Sequence, residues 1–536
     1  MIRILGVSAC ILVAAGAARA VEIPLTVDEP SNVERRSEVV SGGIPLPKGV
    51  YKDPAAFSLF DGKTEVPVQV SPIVKYPDGS LHWALVSFPV TLPAKGGKTF
   101  TLKDSRGEAK PANPVVVKER GDLVEISNGL VSFTVNKSKF NGFESIASKG
   151  KPVFKAAEAW LLANDQGGPA KPTHFDLVYE GPIRTTLYVK GPIGAQATPT
   201  FAVAITLNAG EAAIHVDLNL RNGGIGVKNI EVANPRLCLA PAGAMKAGAS
   251  GAGAGDRPGF GWQEFEGPVD VLLFARHGGH AHIGGKELRV SYEPAIVGQE
   301  LVLPLTFMSG KPLKLDEGEH KITEVTLAFD GSRTPTGLAS PLHARSSVEW
   351  YSAHDSMGVG KGWGSLADET ATYKAAGWSK ADDPKKMPHM KDAPDLWFNW
   401  LDVHSTSEGD QIQGMLFGYL RTGERGYLDQ AAAWQRYFRG YYMYRTDDFT
   451  YGKEGRRGGL AGFGGGRTCA GGCHTYGVGI FNSALLTGNV DALEAAFDLA
   501  EQANATSGDL SQLKPGAALG FWGSRGFLRN YMAVAR

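Results

Sequence analysis

Hydrophobic and polar residues alternate with a period of two through much of the first 340 positions. Val66, Val68 and Val70 alternate with Pro67, Gln69 and Ser71, the signature of a strand with one buried face. Asp61-Gly62 and Pro77-Asp78-Gly79 place turns between such runs. The stretch YPDGSLHWALVSFPV, from Tyr76 to Val90, reads as strand, turn, strand, with Trp83 inward and His82 on the polar face. These patterns predict a small β domain over residues 21–105. A linker rich in proline and charge, around Asp104 to Pro114, leads into a second β region over residues 112–345. Its strands are short (LVEISNGLVSFTV, RTTLYVKG, AIHVDLNL, VLLFARHG) and regularly spaced, as in a large sandwich. In AIHVDLNL, Ile214, Val216, Leu218 and Leu220 face one way and His215, Asp217 and Asn219 the other. Between these strands, Gly243 to Gly259 is low-complexity Gly/Ala and reads as a flexible loop.

The pattern changes near Ser346. Residues 346–395 are a linker segment rich in aromatics, and from 396 to 536 helices are expected. Ser405 and Glu408 have capping-box spacing and open a helix that ends near Leu420. A second helix follows from about Tyr427 to Tyr444. LRTGERGYLDQA (Leu420 to Ala431) is then echoed by LLTGNVDALEAA (Leu485 to Ala496). Two copies of helix, Thr-Gly turn, helix are the repeated hairpins of an α/α toroid. A further helix is expected from Phe521 to Val534. The toroid reads as incomplete, as though truncated.

Composition narrows the function. The 536 residues carry 55 basic and 55 acidic side chains, so the formal net charge is zero. That argues against a nucleic-acid partner. The 69 glycines suit loops and all-β architecture. Residues 1–20 have the charge, apolar run and Ala18-Arg19-Ala20 end of a signal peptide, with cleavage after Ala20. The mature protein is expected to be secreted or periplasmic, with no membrane association after cleavage.

Candidate chemistry gathers late in the chain. His404 and His474 each precede the first helix of a hairpin, at the end opposite the Thr-Gly turns. Tyr441, Tyr442, Tyr444 and Arg445 end a second helix and return to that rim. A glycine loop from Gly452 to Gly472 carries Lys453, Arg456, Arg457 and Arg467. Such a set suits β-elimination of a uronate. A cation quietens the carboxylate, and Arg445 or Arg467 can do so by bidentate contact. A base takes the neighbouring proton and an acid protonates the leaving oxygen. His404 or His474 suits the first role, and Tyr476 or the Tyr441–Tyr444 cluster the second. Trp397 and Asn399 would line a sugar subsite. The bland alternative is that the histidines cap helices and the tyrosines pack between hairpins. Glycoside hydrolysis would need two carboxylates across a cleft. Asp402, Glu408 and Asp410 lie near the rim, with Glu408 already explained by the capping box.

Cys469 and Cys473 read as a disulfide candidate in an exported chain. A zinc site would need further ligands, and the c-type haem signature has one residue fewer between its cysteines. Cys238 is then a lone buried thiol. His277, His280 and His282 are spaced closely enough for a metal, but their glycine-rich setting suits a hairpin tip. No cofactor is expected. A divalent cation is possible for such chemistry, but nothing in the sequence indicates one.

The order of motifs resembles a family. VPVQ followed by YPDGSLHWALVSF, then ISNGLVSFTV and AIHVDLNLRN, then HSTSEGDQ and CHTYGVG, is similar to the exo-rhamnogalacturonan lyase (PcRGLX/YetA-like) family. The resemblance implies an N-terminal RIFT-type β barrel, a central β sandwich and a C-terminal α/α toroid. It implies an exported polysaccharide lyase acting on rhamnogalacturonan-type pectic chains from an end. Two rivals share the scaffold: a glycoside hydrolase, and a non-catalytic protein that only binds an acidic polysaccharide.

Overall fold

The structure is a computed structural model and describes residues 22–224, 226–227, 229–252, 260–278, 282–283, 286–287, 294–305, 312–354, 411–443, 445 and 478–507. Trp397, Asn399, Asp402, His404, Glu408, Asp410, Tyr444, Lys453, Arg467, Cys469, Cys473, His474, Tyr476 and the helix expected at 521–534 lie outside these residues.

The N-terminal domain is built from two antiparallel sheets. One runs in the order Ala344–Arg345, Glu22–Asp28, Gly97–Lys103, Ser58–Asp61, Thr64–Val66. The other runs Arg35–Pro45, Leu81–Leu92, Gln69–Lys75. Alternation places Leu25, Val27, Ile44, Leu59, Trp83, Phe88 and Phe100 in a shared core. The expected strand-turn-strand is present. Asp78 accepts from the amide and hydroxyl of Ser80, Gly79 takes φ +81°, and the two flanking strands pair. Trp83 is buried, and His82 is half-buried with its ring stacked on Tyr76, centroids 4.1 Å apart.

The central domain is a sandwich. Strands Val116–Arg120 through Lys151–Lys155 continue into Arg236–Pro241 in one sheet. The facing sheet runs His174–Val178, Arg184–Ile193, Gln196–Asn208, Ala213–Arg221, His320–Phe329, Val271–Gly278, Phe260–Glu266, Lys246–Ala252. Ile214, Val216, Leu218 and Leu220 enter the core between the sheets, as their spacing predicts. Two expectations change. The chain has left the sandwich by Ala344, whose strand pairs with Glu22–Asp28. Part of the Gly/Ala run is a strand, Lys246–Ala252, paired with Phe260–Glu266. The reason is steric: a Cβ on Gly251 would lie 2.9 Å from the Trp262 indole, so the small residues admit that ring.

Two short helices, α1 (Pro335–Ala339) and α2 (Val348–Ala353), leave the sandwich. Two hairpins come next: α3 (Gln411–Thr422) with α4 (Arg425–Tyr437), and α5 (Val478–Thr487) with α6 (Val490–Ser507). A π-helical turn, Phe438–Tyr442, extends α4. The repeated Thr-Gly turn has one chemistry in both hairpins. Thr422 and Thr487 each donate to the carbonyl four residues back and accept from the amide two residues on. Gly423 and Gly488 then take φ +72° and +65°, the left-handed helix end that glycine tolerates. Ile412, Leu416, Tyr419, Leu428, Ile480 and Leu485 belong to the same core as the barrel strands. The approach is backbone to backbone: a Cβ on Gly43 would sit 1.7 Å from the Leu485 carbonyl oxygen.

Candidate functional site at the sheet–helix junction

The outer face of the eight-stranded sheet is polar because alternation sends every second residue away from the core. Register aligns these residues in rows. One row is Thr186, Thr206, His215, Thr326; the next is Tyr188, Ala204, Asp217, Glu324, Arg276. Helices α4 and α6 and the edge of the barrel lie across this face, so charges that an isolated sheet would show to water are enclosed.

One half of the junction is sealed. Arg221, Arg439 and Arg445 meet Asp491 from α6, and Arg221 and Arg445 also meet Glu494. Arg445 pairs in addition with Asp498 at 3.3 Å. Tyr188 donates to Glu494 at 2.6 Å and Lys190 pairs with it at 2.9 Å. Burial alone would raise the Asp491 carboxyl, but Arg445, Arg439 and Arg221 outweigh it and hold it far below the usual range. His320 donates from Nε2 to the Arg445 carbonyl at 2.9 Å. Burial, then Arg221 and Arg445, keep that imidazole neutral. This arrangement fastens α6 and the end of α4 to the sheet.

The expectation that Arg445 holds a substrate carboxylate is therefore corrected. It is 1% exposed, and three carboxylates of its own chain surround it. The backbones of Tyr441 and Tyr442 belong to the π-helical turn beside this network.

The other half is open. His215 is 33% exposed and Glu324 26%, and Arg184 and Asp217 are half-buried. Asp217 accepts from Asn489, at the start of α6, at 3.1 Å. Burial and the neighbouring Glu324 push its carboxyl up to about 6, against the pull of Arg439. Glu324 goes the other way. Burial would raise it, but Arg436, Arg276 and Arg439 keep it ionised. His215 contacts Thr326 and Glu211. Glu211 is held at about 2 because Arg333 and His215 overcome its burial. The pKa values of two carboxyls on adjacent strands are thus pushed in opposite directions, so that below about pH 6 Asp217 holds a proton while Glu324 stays ionised, an arrangement that acid–base chemistry uses. Spacing had marked His215 and Asp217 as outward-facing, but nothing local in the sequence marks Glu324, Arg184 or the helix that covers them.

The motif residues are structural ties. Gln69 of VPVQ is 8% exposed. Its Oε1 accepts from Ile183 and Arg184 amides, both at 2.9 Å. Its Nε2 donates to Ser71 and to the carbonyls of Tyr179 and Arg184. Asn128 of ISNG donates to Asn208 and Glu211 carbonyls, both at 2.7 Å. Asn128 therefore joins one sheet of the sandwich to the other, and Gln69 joins the barrel to the sandwich.

That joint belongs to the N-terminal domain's outer surface, and the domain has known relatives. Residues 29–105 match the PcRGLX-like N-terminal RIFT barrel domain. The barrel expected from the resemblance is thus found where it was expected. No curated protein matches the chain. Among solved structures, a glycosyl hydrolase family 38 protein from Enterococcus faecalis is 10% identical, with a TM-score of 0.34, over 61% of this chain and 47% of that one. An alpha-mannosidase from Enterococcus faecalis V583 is 11% identical, with a TM-score of 0.29, over 61% of this chain and 46% of that one. The chain spans less than half the length of either, and likeness at this level carries no argument about activity. Among the described residues no helix is long and apolar enough to cross a membrane.

Proposed function

We propose that this chain is an exported carbohydrate-active enzyme that degrades an acidic, rhamnogalacturonan-type polysaccharide by β-elimination, acting from a chain end. The observation that carries the reading is the PcRGLX-like match of residues 29–105. The elements after the barrel support it: a β sandwich and then helical hairpins packed on both. In this reading the rim of the hairpins supplies the chemistry. Arg467 and Lys453 steady the uronate carboxylate, His404 or His474 removes the proton, and Tyr476 or a tyrosine of the 441–444 cluster protonates the leaving oxygen. Trp397 and Asn399 line a sugar subsite. Arg445 acts as a positioning residue that fixes the end of α4 against α6.

The test is turnover by His404→Ala and His474→Ala variants on rhamnogalacturonan. Loss in at least one is expected. Undiminished elimination by both removes these residues from the mechanism.

One observation favours a second reading, hydrolysis. Asp217 and Glu324 face each other on paired strands with the first pushed up to about 6 and the second pushed down, so that below about pH 6 they supply the acid and the ionised carboxylate a retaining glycosidase needs. New reducing ends without an unsaturated product, abolished by Asp217→Asn, would establish that reading in place of elimination.

A further inference from the structure

Two buried imidazoles tie the helical hairpins to the β domains, one at each end of the hairpins. His343 lies just before the barrel strand Ala344–Arg345. Its Nε2 donates to the Leu486 carbonyl near the end of α5 at 3.0 Å, and its Nδ1 accepts from the Tyr419 hydroxyl of α3 at 3.1 Å. One ring thus holds both hairpins at their Thr-Gly end. His320 opens the sandwich strand His320–Phe329. Its Nε2 donates to the Arg445 carbonyl at 2.9 Å, while the Arg445 amide donates to the Gly318 carbonyl at 3.0 Å. Arg445 follows the π-helical turn, so this contact lies at the end of α4 remote from the Thr-Gly turn.

Neither ring can take a second proton where it sits. On His343 that proton would fall on Nδ1, the atom that accepts from Tyr419, and on His320 it would fall on an Nδ1 without a partner. The new charge would be buried and would meet cations from several elements. Around His343 these are Arg425 at the start of α4 and Arg345 of its own strand. Their partners Asp429 and Asp28 are about half exposed, so water screens those pairs. Around His320 they are Arg221 of the adjacent strand and Arg445. Asp491 of α6 opposes them, but Arg221, Arg439 and Arg445 already engage it. Burial first, and these cations next, keep His320 neutral and bring His343 down to about 4. The carboxylates Asp491, Glu494 and Glu324 are held ionised by their arginines, so mild acid leaves the ion pairs intact. Asp217 takes up a proton near pH 6, which favours closure. Mild acid therefore acts against the joint through the two imidazoles, which regain their ordinary proton affinity only when the hairpins lift away.

We propose that His320 and His343 form an acid-release joint, in which protonation of the two rings frees both helical hairpins from the β domains while the sandwich stays folded. Such release needs no ligand and holds whatever substrate the chain acts on.

The test is hydrogen exchange of the whole chain at pH 7.5 and 4.5, read by mass spectrometry and corrected for the chemical dependence of exchange on pH. Peptides within 411–443 and 478–507 are expected to open about tenfold or more further at pH 4.5. The sandwich strands Arg184–Ile193 and Gln196–Asn208 are expected to keep their protection. The double variant His320→Gln with His343→Gln, whose amides donate but take up no proton, is expected to hold the hairpins closed at pH 4.5. Circular dichroism at pH 7.5 checks its folding. Should it misfold, each single variant is read at its own end: His343→Gln at 411–422 and 478–487, His320→Gln at 436–443. Hairpins and sandwich opening together in the wild type overturns the joint, as does no change in either. So does a folded variant that keeps the full acid response.

Discussion

Replacing Gln69 by alanine tests whether the barrel and sandwich are joined as described. The side chain makes five hydrogen bonds, two accepted and three donated, at 2.8–3.1 Å. Four of them go to backbone groups of Tyr179, Ile183 and Arg184. A hydrogen bond contributes about 1 kcal/mol net, but truncation leaves buried backbone groups unpaired at roughly 1–3 kcal/mol each. Water entering the vacated space re-pairs some of them. The expected cost is therefore about 3–5 kcal/mol, above the usual range for one substitution. Gly181 tightens the case, since a Cβ there would lie 2.5 Å from the Gln69 amide, so the loop is moulded to this side chain. The assay is urea denaturation followed by tryptophan fluorescence, with limited proteolysis of the 179–184 loop as a local probe. In a multidomain chain the unfolding is read phase by phase. A loss below about 1 kcal/mol in every phase, with the loop still protected, would refute the reasoning.

Three further outcomes are expected. Gly43→Ala forces a methyl onto the Leu485 carbonyl. It should release the α5–α6 hairpin, seen as rapid proteolysis within residues 478–507 while the sandwich stays resistant. His343 is buried, its Nε2 donates to the Leu486 carbonyl, and its Nδ1 therefore accepts from the Tyr419 hydroxyl. Burial lowers its folded pKa from 6.5 to about 4. Its neutral form thus stabilises the fold above pH 6.5, and about 3 kcal/mol is lost as pH falls from there toward 4; His343→Gln should flatten that part of a melting-temperature profile against pH. Asp217 has the opposite sign. Its raised pKa means that the fold loses stability as pH rises from the ordinary aspartate range through about 6. Asp217→Asn should raise the melting temperature at pH 7.5 and leave it nearly unchanged at pH 4.

Much of this architecture was legible in the chain. Period-two alternation located the sandwich strands because burial on one face imposes it, and the repeated Thr-Gly turn located the hairpins because its chemistry is local. Other features depended on what covers a face. Gln69 reads as an outward polar residue of a strand, and it is buried only because the 179–184 loop lies on it. The Gly/Ala run reads as a loop, and part of it is a strand because Trp262 occupies the missing side-chain volume. Arg445 reads as an exposed cation at a rim, whereas Asp491, Glu494 and Asp498, some fifty residues later, enclose it. Ion pairs between distant segments leave no periodic trace, so the sealed network and the half-buried polar face beside it were out of reach of pattern alone.

The central claim is tested most directly by the product. The chain from Val21 onward is offered rhamnogalacturonan and a panel of other uronate polysaccharides, and the ultraviolet absorbance of an unsaturated sugar is followed. The account predicts a steady rise on rhamnogalacturonan, released from chain ends. Saturated reducing ends with no such rise would contradict elimination, and binding with neither product would contradict catalysis.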